Sequence, residues 1–553
     1  MDYPFDVGPF SRKVTTANAE AQVWFDRGLN WLYGYSHEEA ITCFTEATKA
    51  DSTCAMAWWG ISYAAGPNYN LPWHLYDPKG KATALGAAYD AMQEAMTRAA
   101  GASPVEQALI HALATRYQDR EPLEDMSPWD KAFTVAMRAV FEANRSDREV
   151  RTVFVEAIMN ETPWKMWDLT TGGVAEDAGT EEAMAVLDEA FATDPGAWKH
   201  PGLLHLHVHL MEMSPFPERA LRTGDRLRQI APDLGHLIHM PTHIDVLCGH
   251  YHNVLHWNQQ AQVADRKFLE ARGPLNVYAL YRTHNHHFVI YGAMFLGQFT
   301  PAIRAAQELI DTVPEEVLRI ESPPMGDFIE GYFSMKQHVL VRFGKWAEII
   351  AQEEPEDKAL YCSTVSMMRY AKAVAYSALG RVEEAEAARE AFLEAKAAQK
   401  KHRRVHNNKV TDLLKIAHAM LEGELEYRKG DFEAAFAHLR RSVRLDDELP
   451  YDEPWGWMQP TRHALGALLM EQGHYEEAEA VYRADLGLDS TLSRTCVHPE
   501  NVWSLKGLHE CLIRRGETVE AAHIKPRLDL AAARAEVPVK ASCFCSQVAM
   551  AAE

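Results

Sequence analysis

The feature that most constrains this chain is a spacing. Trp24, Gly28 and Trp31 precede Ala40, Phe44 and Ala47, large and small residues at helical intervals on two successive segments. With residue 21 as the first position of that unit, a second unit starts at residue 55, a step of 34, and places Trp58 and Ile61 at core positions. Another starts at Pro201 with Leu204, Val208 and Met211, then Ala220, Leu227 and Pro232 after a turn; the next begins at residue 235, again a step of 34, with Gly249 and Tyr251 in its turn. Similar units begin near residues 283, 330, 366, 416, 459 and 502, with Gly297, Gly344, Gly380, Gly430, Gly473 and Gly516 in the turns. Ala, Leu, Glu, Met and Arg fill the windows between breakers, and strand-like alternation is rare, so each unit reads as two helices. One helix pair cannot bury its apolar stripe alone; stacked copies bury it for one another. Residues 78–180 read as helical but off-register, with Pro163-Trp164 and Gly172-Gly173 in a long loop.

These offsets resemble the tetratricopeptide (TPR) pattern, in which small residues let two helices approach and large ones fill the gaps. The resemblance spans most of the chain. It implies an all-α, TPR-like α-solenoid, curved or ring-like, with helix A of each pair lining the concave face. Three segments also resemble a family of large, mostly uncharacterised microbial TPR proteins: Tyr33 to Ala40, Gly66 to Asn70, and Gly235 to His243. That likeness brings no established activity. Four regions are expected: N-terminal units at 1–77, off-register helices and a long loop at 78–200, His-rich central units at 201–300, and C-terminal units with a short tail at 301–553.

Composition narrows the function classes. The net charge of −22 repels phosphate backbones, so nucleic acid is not an expected partner. Residues 1–16 lack a basic start followed by an apolar run, and no stretch approaches ~18 uninterrupted apolar residues, so neither a signal peptide nor a membrane span is expected. Eight scattered cysteines do not make a disulfide scaffold, and a reducing, cytoplasmic location is the expectation. Cys543-Phe544-Cys545 has poor zinc spacing and reads first as a frayed tail.

Histidine is the exception to an ordinary composition. The chain has 26, and 13 of them lie between His200 and His287. In helix A of each unit, positions 2, 5, 9 and 12 form one stripe beside the core face. In the units at 201, 235 and 283, position 5 is His205, His239 and His287; position 9 is His209, His243 and Tyr291; position 2 is Gly202, His236 and His284. His205 and His209 are thus spaced i, i+4, and His239 and His243 repeat that spacing 34 residues later. Inward i, i+4 histidine pairs suit a metal ion. The candidate ligands are His205, His209, His236, His239, His243, His284 and His287. Glu212, at position 12, is a candidate ligand, base or orienting carboxylate, and Tyr291 a candidate catalytic residue. His207 and His286 fall on the packing face; His250, His252 and His256 fall on the turn and helix B. Pro241 either kinks its helix or makes it start late, and a kink would re-aim His239 relative to His243. The Gly66–Trp73 stretch reads as a capping loop or a pocket wall, and Trp167-Asp168 as a plain connection or a lid.

Three functions are expected in turn. The first is a metal-dependent enzyme, copper favoured and oxidising a small molecule; zinc would imply hydrolysis, and iron would need Glu212 to complete a two-His, one-carboxylate set. The second is a scaffold that holds a protein or peptide in the concave groove. The third is metal handling or sensing without turnover.

Overall fold

The computed structural model describes residues 3–546. Among them helices dominate and strands are almost absent; the one ladder pairs Arg404–Val405 with Asn408–Lys409. Polar caps fix where helices begin. The Asn18 side chain accepts the amides of Glu20 and Ala21 to start Ala19–Tyr33, and Asp147 does the same for Arg148–Glu161. Ser103 and Glu106 form a reciprocal capping box on Pro104–Ala114. Glycine sets many of the turns: Gly249, Gly297, Gly344, Gly380, Gly430, Gly473 and Gly516 all sit at positive φ, where a Cβ is strained.

The chain divides into two compact units: residues up to Ile244 with Gln260–Tyr278, and Asp245–Gln259 with Ala279 onward. In the first, Ala19–Tyr33 packs on His37–Ala50, and that helix on Ala55–Ala65. Phe44 explains the register. A Cβ built on Gly28 would come within 2.6 Å of its ring, and one on Gly60 within 2.7 Å. The same sandwich recurs in the second unit, where Tyr482 lies against Gly466 and Gly507, at 2.5 and 2.2 Å from a built Cβ. Phe44 and Tyr482 are both residue 24 of their repeats, Gly28 and Gly466 residue 8, Gly60 and Gly507 residue 6. Leu439 against Gly423 holds positions 24 and 8 again. Close approach at position 8, filled by a bulky side chain from the second helix, is therefore a repeated packing rule of the chain.

Residues 78–200 carry the helices Pro78–Arg98, Pro104–Ala114, Ser127–Ala143, Arg148–Glu161 and Thr180–Thr193. A non-helical loop joins the last two, with Trp164 at φ 60° and Gly172 at φ 71°.

The tail differs from a frayed end. Gly297 O accepts the amides of Glu536 and Val537. Ser542 is buried between Tyr482 and His463, and Cys543 is disulfide-bonded to Cys545. Packing of Phe544 against Trp503 and Gly344 supplies the apolar anchor that its sequence neighbours lack.

Candidate metal centre

The first unit builds a buried imidazole cluster from three helical segments. Pro201–Glu212 supplies His205 and His209 on one face. Gly235–His239 supplies His236 and His239, and Pro241–Leu247 supplies His243. Pro241 has no amide to give, so the helix breaks at Met240 and restarts. His205, His209 and His236 each offer a ring nitrogen within 4.8 Å of the others. His205 is 1% exposed, His209 0% and His236 2%.

Hydrogen bonds fix which nitrogen faces the centre. His205 Nδ1 donates to the Tyr33 carbonyl at 2.7 Å, and His209 Nδ1 to Glu212 Oε1 at 2.9 Å. The lone pairs therefore lie on Nε2, and among the described residues neither His205 Nε2 nor His209 Nε2 has a hydrogen-bond partner. Burial pushes the His205 pKa down to about 3. It also holds His209 and His236 well below the usual imidazole range, helped by the neighbouring imidazoles. All three are neutral, the form that binds metal.

Glu212 links this cluster to the next pair. Its Oε2 accepts from His243 Nδ1 at 2.9 Å, and His243 Nε2 lies 2.8 Å from His239 Nε2. His207, between two of the ligand candidates in sequence, points elsewhere: its Nδ1 donates to Thr223 Oγ1 at 2.8 Å and its ring meets the edge of Phe191. Gly202, at position 2, is packing rather than lining: a Cβ there would meet Thr152 and Tyr33 at 2.6 and 2.7 Å.

The walls are aromatic. The Tyr35 ring lies 4.6 Å from His205, 5.7 Å from His209 and 5.5 Å from His236, centroid to centroid. Tyr69 is 4.9 Å from His209, with Trp164 beyond it. Tyr35 and Trp164 are two of the five described non-glycine residues at positive φ. Asn68 shapes the Gly66–Trp73 loop by accepting the amides of Asn70 and Leu71, and its Nδ2 reaches His37. That loop is both a cap and a wall. The Tyr35 segment is marked in the sequence only by resemblance, and the Tyr69 segment also as a cap or pocket wall; their contacts with histidines remote in sequence are invisible there. Trp167 ties its loop to the Leu210 carbonyl, while Asp168 only closes an exposed turn.

The remaining candidates belong to the second unit. His284 stacks on His406 with centroids 5.1 Å apart. His287 Nε2 is 2.8 Å from Met458 Sδ, and its ring meets Tyr332. Tyr291 is fully buried beside Phe295 and His498, and burial raises its hydroxyl pKa. His286 donates Nδ1 to the Arg282 carbonyl of its own helix. His252 stacks on His256 along Tyr251–Arg272.

No family model matches the chain, and no curated protein matches it. Among solved structures, one of Naa15/Naa10 bound to HypK-THB is similar at 13% sequence identity, over 92% of this chain and 70% of that chain, with a TM-score of 0.22. Among the described residues no helix is long and apolar enough to cross a membrane.

Proposed function

We propose that this chain is a TPR-like α-solenoid whose first unit holds a transition metal ion on His205, His209 and His236, with copper favoured, and uses it to oxidise a small molecule. The observation that carries this reading is the pair of buried, partnerless Nε2 atoms on His205 and His209, converging with His236. A buried lone pair without a donor costs on the order of 1–3 kcal/mol, and an ion satisfies several at once. Imidazole-only ligation suits copper or zinc. An iron set completed by Glu212 is disfavoured, because both its oxygens already accept imidazole N–H groups. In the oxidation, the substrate gives up two electrons and two protons, and dioxygen takes them and leaves as hydrogen peroxide. The test is elemental analysis of protein expressed with added copper, iron and zinc, beside His209→Ala. Stoichiometric metal in the wild type, lost in the variant, is expected. A wild type that binds none of the three more tightly than the variant ends this reading.

A second reading, a peptide-holding scaffold, is favoured by the second unit's grip on its own tail. Arg342 donates to the Ser542 carbonyl at 2.7 Å, Arg428 donates to the Cys545 carbonyl, and Ser546 donates to Glu471 at 2.6 Å. The same arginines would donate to the main-chain carbonyls of other extended segments. A peptide of residues 537–546 should bind a chain ending at Glu536, and no binding would remove this reading.

A further inference from the structure

We propose that the first unit holds a second transition metal ion, on His239 and His243, and that Glu212 couples it to the first; the coupling rests on the reading of the first ion given above. A carboxylate only accepts, so the nitrogens that meet Glu212 are N–H groups: His209 Nδ1 and His243 Nδ1, each at 2.9 Å. Each ring then presents a lone pair at Nε2. On His209 that lone pair faces the first centre. On His243 it faces His239 Nε2 across 2.8 Å.

That separation selects a coordination geometry. With metal–nitrogen bonds of about 2.0–2.1 Å, two nitrogens 2.8 Å apart subtend roughly 85–90° at the ion. This is the cis angle of tetragonal copper(II) or nickel(II), well short of the tetrahedral angle that structural zinc adopts. The break at Met240–Pro241 places the two histidines on separate helical segments, Gly235–His239 and Pro241–Leu247. The short segment serves both centres: His236 belongs to the first and His239 to the second, their rings 5.9 Å apart and 29° from parallel.

Glu212 is the positioning residue. Its side chain and that of His209 are fully buried, and His243 is 2% exposed. A buried anion is stable there only against positive charge or strong donors. Two N–H donors meet that need now, and two cations behind those imidazoles would meet it better. Carboxylate–imidazole–metal links of this kind orient the ring and raise its basicity.

The experiment uses the full chain loaded with copper(II), with total copper read by elemental analysis and unpaired spins by electron paramagnetic resonance. Wild type should carry two equivalents, with an electron paramagnetic resonance spectrum broadened by the neighbouring spins. His239→Gln, close in volume, should carry one equivalent, without that broadening. Glu212→Gln can accept from only one imidazole, and its affinity should fall about 10–100-fold at both centres. Far-ultraviolet circular dichroism confirms that each variant is folded; if His239→Gln is not, copper titration of the wild type alone decides, by one step or two. One equivalent in the wild type, unchanged by His239→Gln, means that His239 and His243 share only a hydrogen bond, and overturns the second ion while leaving the first. No copper in any protein overturns both.

Discussion

Tyr35 lies nearly parallel to His209, their rings 19° apart in tilt and their centroids 5.7 Å apart, from a backbone held at φ 53°. A side chain in the left-handed region costs about 1–2 kcal/mol, and the main-chain bonds from Tyr35 N–H to the Leu32 carbonyl and from Ser36 N–H to the Trp31 carbonyl hold residue 35 there. Replacing Tyr35 by Ala keeps the strained backbone and loses a buried ring, a loss of about 3–5 kcal/mol. Tyr35→Gly loses the same ring but relieves the backbone. Tyr35→Gly should therefore unfold at higher urea than Tyr35→Ala, by about 1 kcal/mol. Equal stability of the two variants would show that the backbone at residue 35 relaxes freely.

His207 and His209 share one helix and should behave oppositely. His207→Ala removes a bond to Thr223 and the ring edge on Phe191, so it should lower stability by about 1–3 kcal/mol and leave metal content intact. His209→Ala should lose metal, and because it leaves the buried Glu212 with one of its two imidazole donors, the metal-free protein should also lose about 1–3 kcal/mol. Metal loss in both variants would mean that the helix, not the His209 nitrogen, is the sensitive feature.

That contrast was legible because helical periodicity separates position 7 from positions 5 and 9, and Pro201–Glu212 is a regular helix. Pro241 was legible as a disturbance for a steric reason; how it turns His239 toward His243 depends on the break at Met240, which propensity does not encode. The role of Glu212 as a link was not separable in sequence from that of a ligand, because His243 reaches it from 31 residues away. Tyr35 and Trp164 were hidden more deeply. Their φ angles are unfavourable for any non-glycine residue, so local preference argues against the geometry that tertiary packing imposes.

The repeated glycine–aromatic sandwich gives a test of the fold. In Gly466→Ala the new Cβ would lie 2.5 Å from Tyr482, whose opposite face meets Gly507 and has no room to withdraw. A loss of about 1–3 kcal/mol is expected. Gly473→Ala meets nothing within 4 Å but sits at φ 78°, so it should cost about 1–2 kcal/mol through backbone strain alone. The double variant Gly466→Ala, Tyr482→Phe should not recover stability, because the clash is with the ring itself. Recovery in chemical denaturation would place the fault at the hydroxyl instead.

Acid should act on the second unit through His338. Its ring is buried against Trp457, at 4.7 Å between centroids, and burial pushes its pKa down from 6.5 to about 3. The folded state therefore keeps it neutral at pH values where the unfolded chain has already taken a proton. The sign follows: the contribution is complete above pH 6.5 and is lost as pH falls from there toward about 3, at up to about 1.4 kcal/mol per pH unit for one proton. His338→Phe removes that proton uptake without touching the bond from Gln459, which goes to the main-chain carbonyl of residue 338. Urea unfolding of the wild type and His338→Phe between pH 7 and pH 4 should give a stability difference that moves in favour of the variant as pH drops. Parallel curves across that range would show that His338 is as easily protonated in the folded chain as in the unfolded one.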